Sequence, residues 1–270
     1  MERKTIFERL AEDIDYKKEF ERIIGLYHSG YHSEFKSFVD NNFWNWPYRD
    51  TCTSSHDLLI TIGIDEHRIG FTYFSQNLFL DFCEAMYNFS LIAFCGTDDK
   101  YNYKKKAVII AKAIQDNIIV VLNKIGYETY TFPDNRHAII VQSNPVAAEI
   151  AEIVDEAYGI RIMEYNHYLL KGNIEGKRDI LKNLADLFES KRDELNSNNL
   201  KTLAEDIGFL LNNLNIRHSN SESKLLEKLS PKELEEWYDK TYTLILSAII
   251  SLERISISKE IDVLKSFMRK

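Results

Sequence analysis

Glycine and proline are scarce in this sequence, with ten glycines and four prolines in 270 residues. These residues interrupt regular structure more often than any others, so their scarcity argues against a chain broken by many turns. Aromatic residues are plentiful by contrast, with fifteen Tyr, fifteen Phe and three Trp. Few helix-breaking residues and many long side chains favour helices joined by short connections.

Cysteine is also rare, and its pattern excludes two classes of protein. Cys52, Cys83 and Cys95 are odd in number and include no CxxC pair. This argues against a disulfide framework and against a thiolate zinc site. The sequence also lacks a HExxH motif, a paired acidic metal motif and a Gly-x-Ser-x-Gly nucleophile elbow. We therefore expect neither a metal site nor a cofactor.

The chain has no excess of basic residues, since 34 Lys and Arg face 42 Asp and Glu for a formal charge of −8. This balance excludes a general basic surface for wrapping DNA, so any contact with nucleic acid must be local. The first twenty residues are charged throughout, unlike a signal peptide. No apolar run looks long enough to span a bilayer. We therefore expect a cytoplasmic protein that does not enter a membrane.

The sequence predicts a mainly α, two-part protein with a central β-hairpin. The hairpin is expected at about 127–142, where β-forming residues flank a turn at Pro133, Asp134 and Asn135. Residues 1–143 form the predicted N-terminal helical region that ends in this hairpin. Residues 144–270 form a second helical region, opened by Asn144 as cap and Pro145 as first helical residue. Its first helix is expected to run to 171 with a bend near Gly159, and the spacing of apolar residues in the N-terminal region predicts a helix from Phe71 to Phe94.

Two stretches of the N-terminal region permit more than one interpretation. The aromatic segment FWNWPYRD at 43–50 fits either a ligand platform, such as a nucleobase-stacking site, or a small satellite core around a proline turn. The apolar run HDLLITIGI at 56–64 fits either a buried strand or a helix.

The most informative stretch runs from Leu203 to Leu252 and predicts two helices joined by a polar crossing. Leu203, Ile207, Leu210 and Leu214 have the spacing of a buried helix face, and three residues further the same spacing reaches Arg217. A guanidinium in such a place needs a carboxylate, a second chain or a bound phosphate. The second helix has a clear start, with Ser230, Pro231 and Glu233 as a capping box.

The segment LNNLNIRHSNSES between these helices, with LLKGNIEGKRDILKNLADLFESKRDEL before it, resembles the C-terminal helical domain of bacterial abortive-infection proteins in the HEPN superfamily. The resemblance covers roughly residues 144–256 and implies a HEPN-like helical bundle. The family's motif is an arginine, then a small polar residue or histidine, then a second histidine four to six residues beyond the arginine. Arg217 and His218 match the first two places. The later histidine is absent, and Glu222 and Ser223 stand in that region.

The resemblance implies an anti-phage endoribonuclease that works without a metal, in which a ribose 2′-hydroxyl attacks the adjacent phosphodiester. Arg217 would neutralise the phosphate and His218 would transfer the proton, while Asn213 and Asn220 would orient the substrate. The expected partners are RNA and a second copy of the chain, because the family pairs two motifs in a homodimer.

A second hypothesis is a HEPN-like bundle that has lost the chemistry and serves as a sensor, adaptor or antitoxin-like subunit of a defence complex. In this hypothesis Arg217 is a polar latch that pairs with a carboxylate such as Glu205, Asp206 or Glu236. The missing histidine and the acidic charge favour it.

Overall fold

The computed structural model describes residues 13–29, 34–65, 75–217 and 228–268. Within these ranges the chain forms ten α-helices and one two-stranded antiparallel sheet. The prediction of a mainly α protein with a central β-hairpin is therefore confirmed. The chain divides into two compact units, residues 1–143 and 144–270.

The first unit contains five of the helices and the hairpin. Their bounds are α1 Tyr16–Tyr27, α2 Glu34–Phe43, α3 Ser55–Thr61, α4 Gln76–Cys95, α5 Lys104–Lys124, β1 Tyr127–Thr131 and β2 Ala138–Gln142. Three of these helices begin at a side-chain cap, since Asp15, Ser54 and Ser75 each accept a hydrogen bond from a backbone N–H three residues ahead. The ambiguous run at 56–64 lies mostly in α3 and is therefore helical, not a strand.

Helix α4 is the centre of the first unit. Thirteen of its twenty residues are buried, and it packs most extensively on α5. Aromatic rings fill the surrounding core, as in the Phe20–Phe82 pair, whose ring centroids lie 4.3 Å apart. The sequence predicted this helix from Phe71 to Phe94. The structure begins it at Gln76, and residues 71–74 lie outside the described ranges.

The hairpin lies against α4 and has the predicted turn. Tyr130 pairs with Ile139 in the register, and Asn135 takes a left-handed φ of 56° at the turn. Side chains of α4 form hydrogen bonds with the backbone groups of β2 that do not pair with β1. Asn88 accepts from the N–H of Ala138 and donates to its carbonyl, and Glu84 accepts from the N–H of Ile140. A lone hairpin is unstable in water, and these bonds fasten it to the helical core.

The second unit contains the remaining five α-helices and a single 3₁₀ turn. Their bounds are α6 Pro145–Ile153, α7 Glu156–Tyr165, the 3₁₀ turn Tyr168–Leu170, α8 Ile174–Ser197, α9 Lys201–Asn213 and α10 Pro231–Met268. The predicted start at Asn144 and Pro145 is confirmed, since the Asn144 side chain accepts from the Ala147 N–H. The capping box is confirmed too, with Glu233 accepting from the N–H of Ser230 at 2.8 Å.

One predicted element differs from the structure. The sequence suggested a single helix from 145 to 171, bent near Gly159, but the chain breaks between α6 and α7 at Val154 and Asp155. Gly159 lies where the two helices meet, because a Cβ at this position would come within 2.5 Å of the Ala151 carbonyl oxygen. The lack of a side chain at Gly159 therefore permits the close contact between α6 and α7. Gly159 does not bend a continuous helix.

In the described part of the chain, two helices are long and apolar enough to cross a membrane by length and composition, contrary to the sequence-based expectation that no run is long enough. They are α4 and α10, and they differ in burial within the protein. The apolar window is 67% buried in α4 and 39% buried in α10. The burial of α4 is that of a core helix, so its apolar character is explained by packing.

Candidate functional site

The polar crossing that carries Arg217 begins at the C-terminal end of α9. Leu214 caps the helix, and Asn215 turns the chain with a left-handed φ of 58°. The backbone N–H of Arg217 then donates to the Leu211 carbonyl at 3.2 Å, which satisfies one of the terminal helix carbonyls. Ile216 is buried. The backbone position of Arg217 is therefore fixed by a hydrogen bond to the end of α9.

The arginine pairs with a carboxylate of α8. Its Nη1 atom lies 2.8 Å from Oε1 of Glu189, and the two side chains are 26% and 27% exposed. Arg192, one turn further along α8, places its own Nη1 at 3.3 Å from the same Oε1 atom. Two guanidinium groups therefore meet at one carboxylate on the surface of the second unit, and Glu189 lies between them.

This geometry corrects the predicted partners of Arg217. Glu205, Asp206 and Glu236 were expected, but the structure gives the role to Glu189. Glu205 instead pairs with Lys201 one turn away on the same helix, at 3.6 Å. Sequence spacing on α9 and α10 could not reveal Glu189, because it lies 28 residues before Arg217 on another helix.

The other predicted site residues are only partly brought together. Asn213 donates from Nδ2 to the Phe209 carbonyl one turn back, so this amide group is engaged in its own helix. His218 and Asn220 lie outside the described residues. The neighbouring Asn215, which sequence reasoning did not select, has a buried Oδ1 atom without a hydrogen-bond partner among the described residues.

Helix α10 holds the end of α9 in place. The hydroxyl of Tyr238 donates to the Leu214 carbonyl at 3.0 Å, and Tyr238 is fully buried. Burial raises the pKa of this phenol to about 12, so it remains a neutral donor at physiological pH. The bond satisfies a second terminal carbonyl of α9 and fixes the crossing against the bundle.

A second polar cluster in the same unit surrounds Lys177, a residue that no sequence motif marks. Lys177 is buried, and its Nζ atom lies 2.8 Å from Glu235 and 2.7 Å from Asp239. Tyr165 donates to Asp239 at 2.9 Å and stacks on Tyr242 with ring centroids 4.1 Å apart. Burial, followed by the nearby Asp239 carboxylate, raises the pKa of Tyr165. Each charge here has a partner, which is the pattern of a structural network.

The aromatic segment 43–50 is a satellite core of the first unit. Trp46 is buried and donates from Nε1 to the Arg136 carbonyl, while Tyr48 donates to Asp134 and stacks on His137 at 4.4 Å. Trp44 is 59% exposed, with the Arg49 guanidinium 4.4 Å from its ring centroid. The segment thus fastens the hairpin turn. An open cavity of about 380 Å³ lies beside it, lined partly by Asp134 and Arg136.

No group of three or more His, Cys, Asp or Glu side chains with the arrangement of a metal site occurs among residues 13–29, 34–65, 75–217 and 228–268. No family model, curated protein or solved structure matches this chain. The similarity to the HEPN superfamily therefore stays a prediction from the sequence.

Proposed function

We propose that this chain is a non-catalytic helical module in which Arg217 holds the second unit together. The supporting observation is the ion pair with Glu189, in which the arginine side chain is only 26% exposed. A phosphate that bound Arg217 would have to displace Glu189 from it and leave that carboxylate with Arg192 as its partner. The absence of a histidine after His218 supports the same proposal.

The resemblance to abortive-infection proteins indicates where in the cell and in what process this module would act. The chain would act in the bacterial cytoplasm as a sensor, adaptor or antitoxin-like subunit, and a partner protein would supply the chemistry of the defence response. Its formal charge of −8 suits a protein that contacts other proteins better than one that contacts RNA along its whole surface.

A second candidate function is a metal-independent endoribonuclease, and one observation favours it. Arg192 and Arg217 both point to Glu189, so a phosphate that replaced this carboxylate would meet two guanidinium groups. His218 would then have to transfer the proton in the step that cleaves the RNA. In this candidate Glu189 is an inhibitory occupant of the phosphate position.

Incubation of the purified chain with total RNA and tRNA in EDTA separates the two functions. We expect no cleavage by the wild type and none by Glu189→Gln, because in our proposal the ion pair is structural. If the chain were a nuclease, Glu189→Gln would free both arginines and raise cleavage at least about tenfold.

Matched variants identify the source of any activity. Cleavage that is lost in both Arg217→Ala and His218→Ala, and kept in Arg178→Ala, would contradict our proposal and establish the nuclease. Arg178 is a suitable control because it pairs with Glu175 on its own helix. Cleavage kept in all variants would instead indicate a contaminating nuclease, and circular dichroism would verify that each variant is folded.

A further inference from the structure

The last third of α10 leaves an apolar stripe exposed to solvent. Ile257, Ile261, Leu264 and Met268 are 46%, 44%, 64% and 89% exposed, and every residue from 256 to 268 lies in the exposed class. The spacing of these four residues is four, three and four. This is the heptad alternation by which two helices pack together along a seam.

The stripe is separate from the side of α10 that faces its own bundle. Ile245, Ile249 and Leu252 are buried in the second unit. At 3.6 residues per turn, the exposed stripe is rotated from these residues by roughly 120° around the helix axis. A second helix can therefore lie along the stripe without displacing any contact that α10 makes within the unit.

The charges along this segment argue against a lipid surface as the occupant. Residues 253–268 carry three acidic and three basic side chains, and Arg269 and Lys270 follow them in the sequence. Helices that lie on anionic membranes have a polar face rich in Lys and Arg. The three carboxylates of Glu253, Glu260 and Asp262 oppose that attraction, whereas oppositely charged flanks are typical of helices that pair with each other.

The heptad positions of the charged residues indicate that the partner is a second copy of the chain and that the two helices run parallel. With Ile261 at position a and Leu264 at d, Glu260 falls at g and Lys265 at the following e. In a parallel pair, Glu260 of each copy lies beside Lys265 of the other, while an antiparallel pair places like charges together. Ile261 at a with Leu264 at d favours two strands in this heptad, and a polar residue at a, as Arg254 is in the preceding heptad, restricts register and oligomer state at a cost in stability.

We propose that a second copy of this chain binds along α10 to form a parallel, two-stranded coiled coil. The seam continues back through Arg254 at a and the half-buried Ile250 at d, so it covers 250–268, roughly 28 Å of helix. Such a pair buries on the order of 1,000 Å², which is the lower range of specific interfaces. We therefore expect a dissociation constant in the micromolar range. This inference does not depend on the proposed function or on the family resemblance.

Sedimentation of the full chain at roughly 50 µM tests the dimer, since an interface of this size gives measurable association there. The wild type should sediment with twice the monomer mass of 31.6 kDa. Glu260→Lys and Lys265→Glu should each weaken association about tenfold, because each places like charges at both g–e contacts. Lys259→Glu, on the outer side of the helix, should leave the dimer unchanged.

Mixing the two weakened variants gives the sharpest result. One variant then offers lysine at 260 and 265 and the other offers glutamate at both, so a parallel heterodimer should form with at least wild-type affinity. A monomeric wild type would overturn the proposal, as would a dimer that is insensitive to all three substitutions. A monomer that floats with phosphatidylglycerol vesicles would also overturn it, in favour of a lipid surface.

Discussion

Arg217 and Lys177 are both held by carboxylates, but they differ in their access to solvent. The Lys177 side chain is 8% exposed and has two acidic partners, while the Arg217 side chain is 26% exposed and has one. A buried cation without a partner is far more costly than an exposed one. Loss of the Lys177 contacts should therefore cost the second unit more stability than loss of the Arg217 contact, although the sequence motif directs attention to Arg217.

The carboxylate of Glu235 gives this network a dependence on pH. Hydrogen bonds from Lys177 and from the Gly172 N–H lower the pKa of Glu235 in the folded protein. A lowered pKa means that the carboxylate stabilises the fold at pH values above the unfolded pKa of about 4.3. This contribution is lost as the pH falls through the folded pKa.

Replacement of Glu235 by Gln should therefore lower the free energy of unfolding by about 1–2 kcal/mol at neutral pH. The difference from the wild type should shrink as the pH falls through the folded pKa of Glu235, because the wild-type carboxyl then becomes protonated too. Urea denaturation at neutral pH and at successively lower pH values measures this. Glu236→Gln, at the exposed neighbouring position, is the control. A difference that is constant with pH would contradict the assigned role of the Lys177 contact.

At the scale of elements, the contact between α6 and α7 depends on Gly159. A Cβ there would meet the Ala151 carbonyl oxygen at 2.5 Å, and a backbone atom cannot move aside easily. Gly25 lies within α1 and has no heavy atom within 4 Å of the corresponding position. A close helix contact thus requires glycine at 159, whereas position 25 has room for a side chain.

Gly159→Ala should lower the free energy of unfolding by about 2 kcal/mol, as expected for overpacking. Gly25→Ala should be neutral or raise it by up to about 1 kcal/mol, because alanine favours a helix more than glycine does. Thermal denaturation of the two variants beside the wild type measures both effects. Equal stability of Gly159→Ala and the wild type would show that the two helices can separate without cost.

Helix caps and turns could be predicted from local sequence, whereas contacts between helices could not. Asn144, Ser230 and Glu233 were predicted as helix caps, and Asn135 as a turn residue, because each acts within four residues of its own position. The break between α6 and α7 was missed because it depends on a contact between helices. Glu189 was missed for the same reason, since its pairing with Arg217 joins two helices and leaves no periodic signal.

At the scale of the whole molecule, α10 combines two roles along one continuous helix. Its first two thirds supply a buried face to the second unit, and its last third exposes an apolar stripe with paired charges. The apolar character of the sequence from 257 to 268 therefore cannot be explained by the core of this unit. In our proposal a second copy of the chain covers the stripe of Ile257, Ile261, Leu264 and Met268.

In the proposed function, the Arg217 crossing is structural and not catalytic. In that case Arg217 and Glu189 must be energetically coupled within the folded chain. If Arg217 did not stabilise the fold, the effect of removing Glu189 would be the same with and without the arginine. The structural role of Arg217 can therefore be measured without knowing any partner or substrate.

A double-mutant cycle of Arg217→Ala and Glu189→Ala, read from free energies of unfolding in urea, is the most direct test. The proposal predicts a coupling energy of about 1 kcal/mol, as expected for a half-buried pair with good geometry. The same cycle on Lys201 and Glu205, an exposed pair on one helix at 3.6 Å, should give a few tenths of a kcal/mol. A coupling energy no larger than that of this control would contradict the structural role of Arg217.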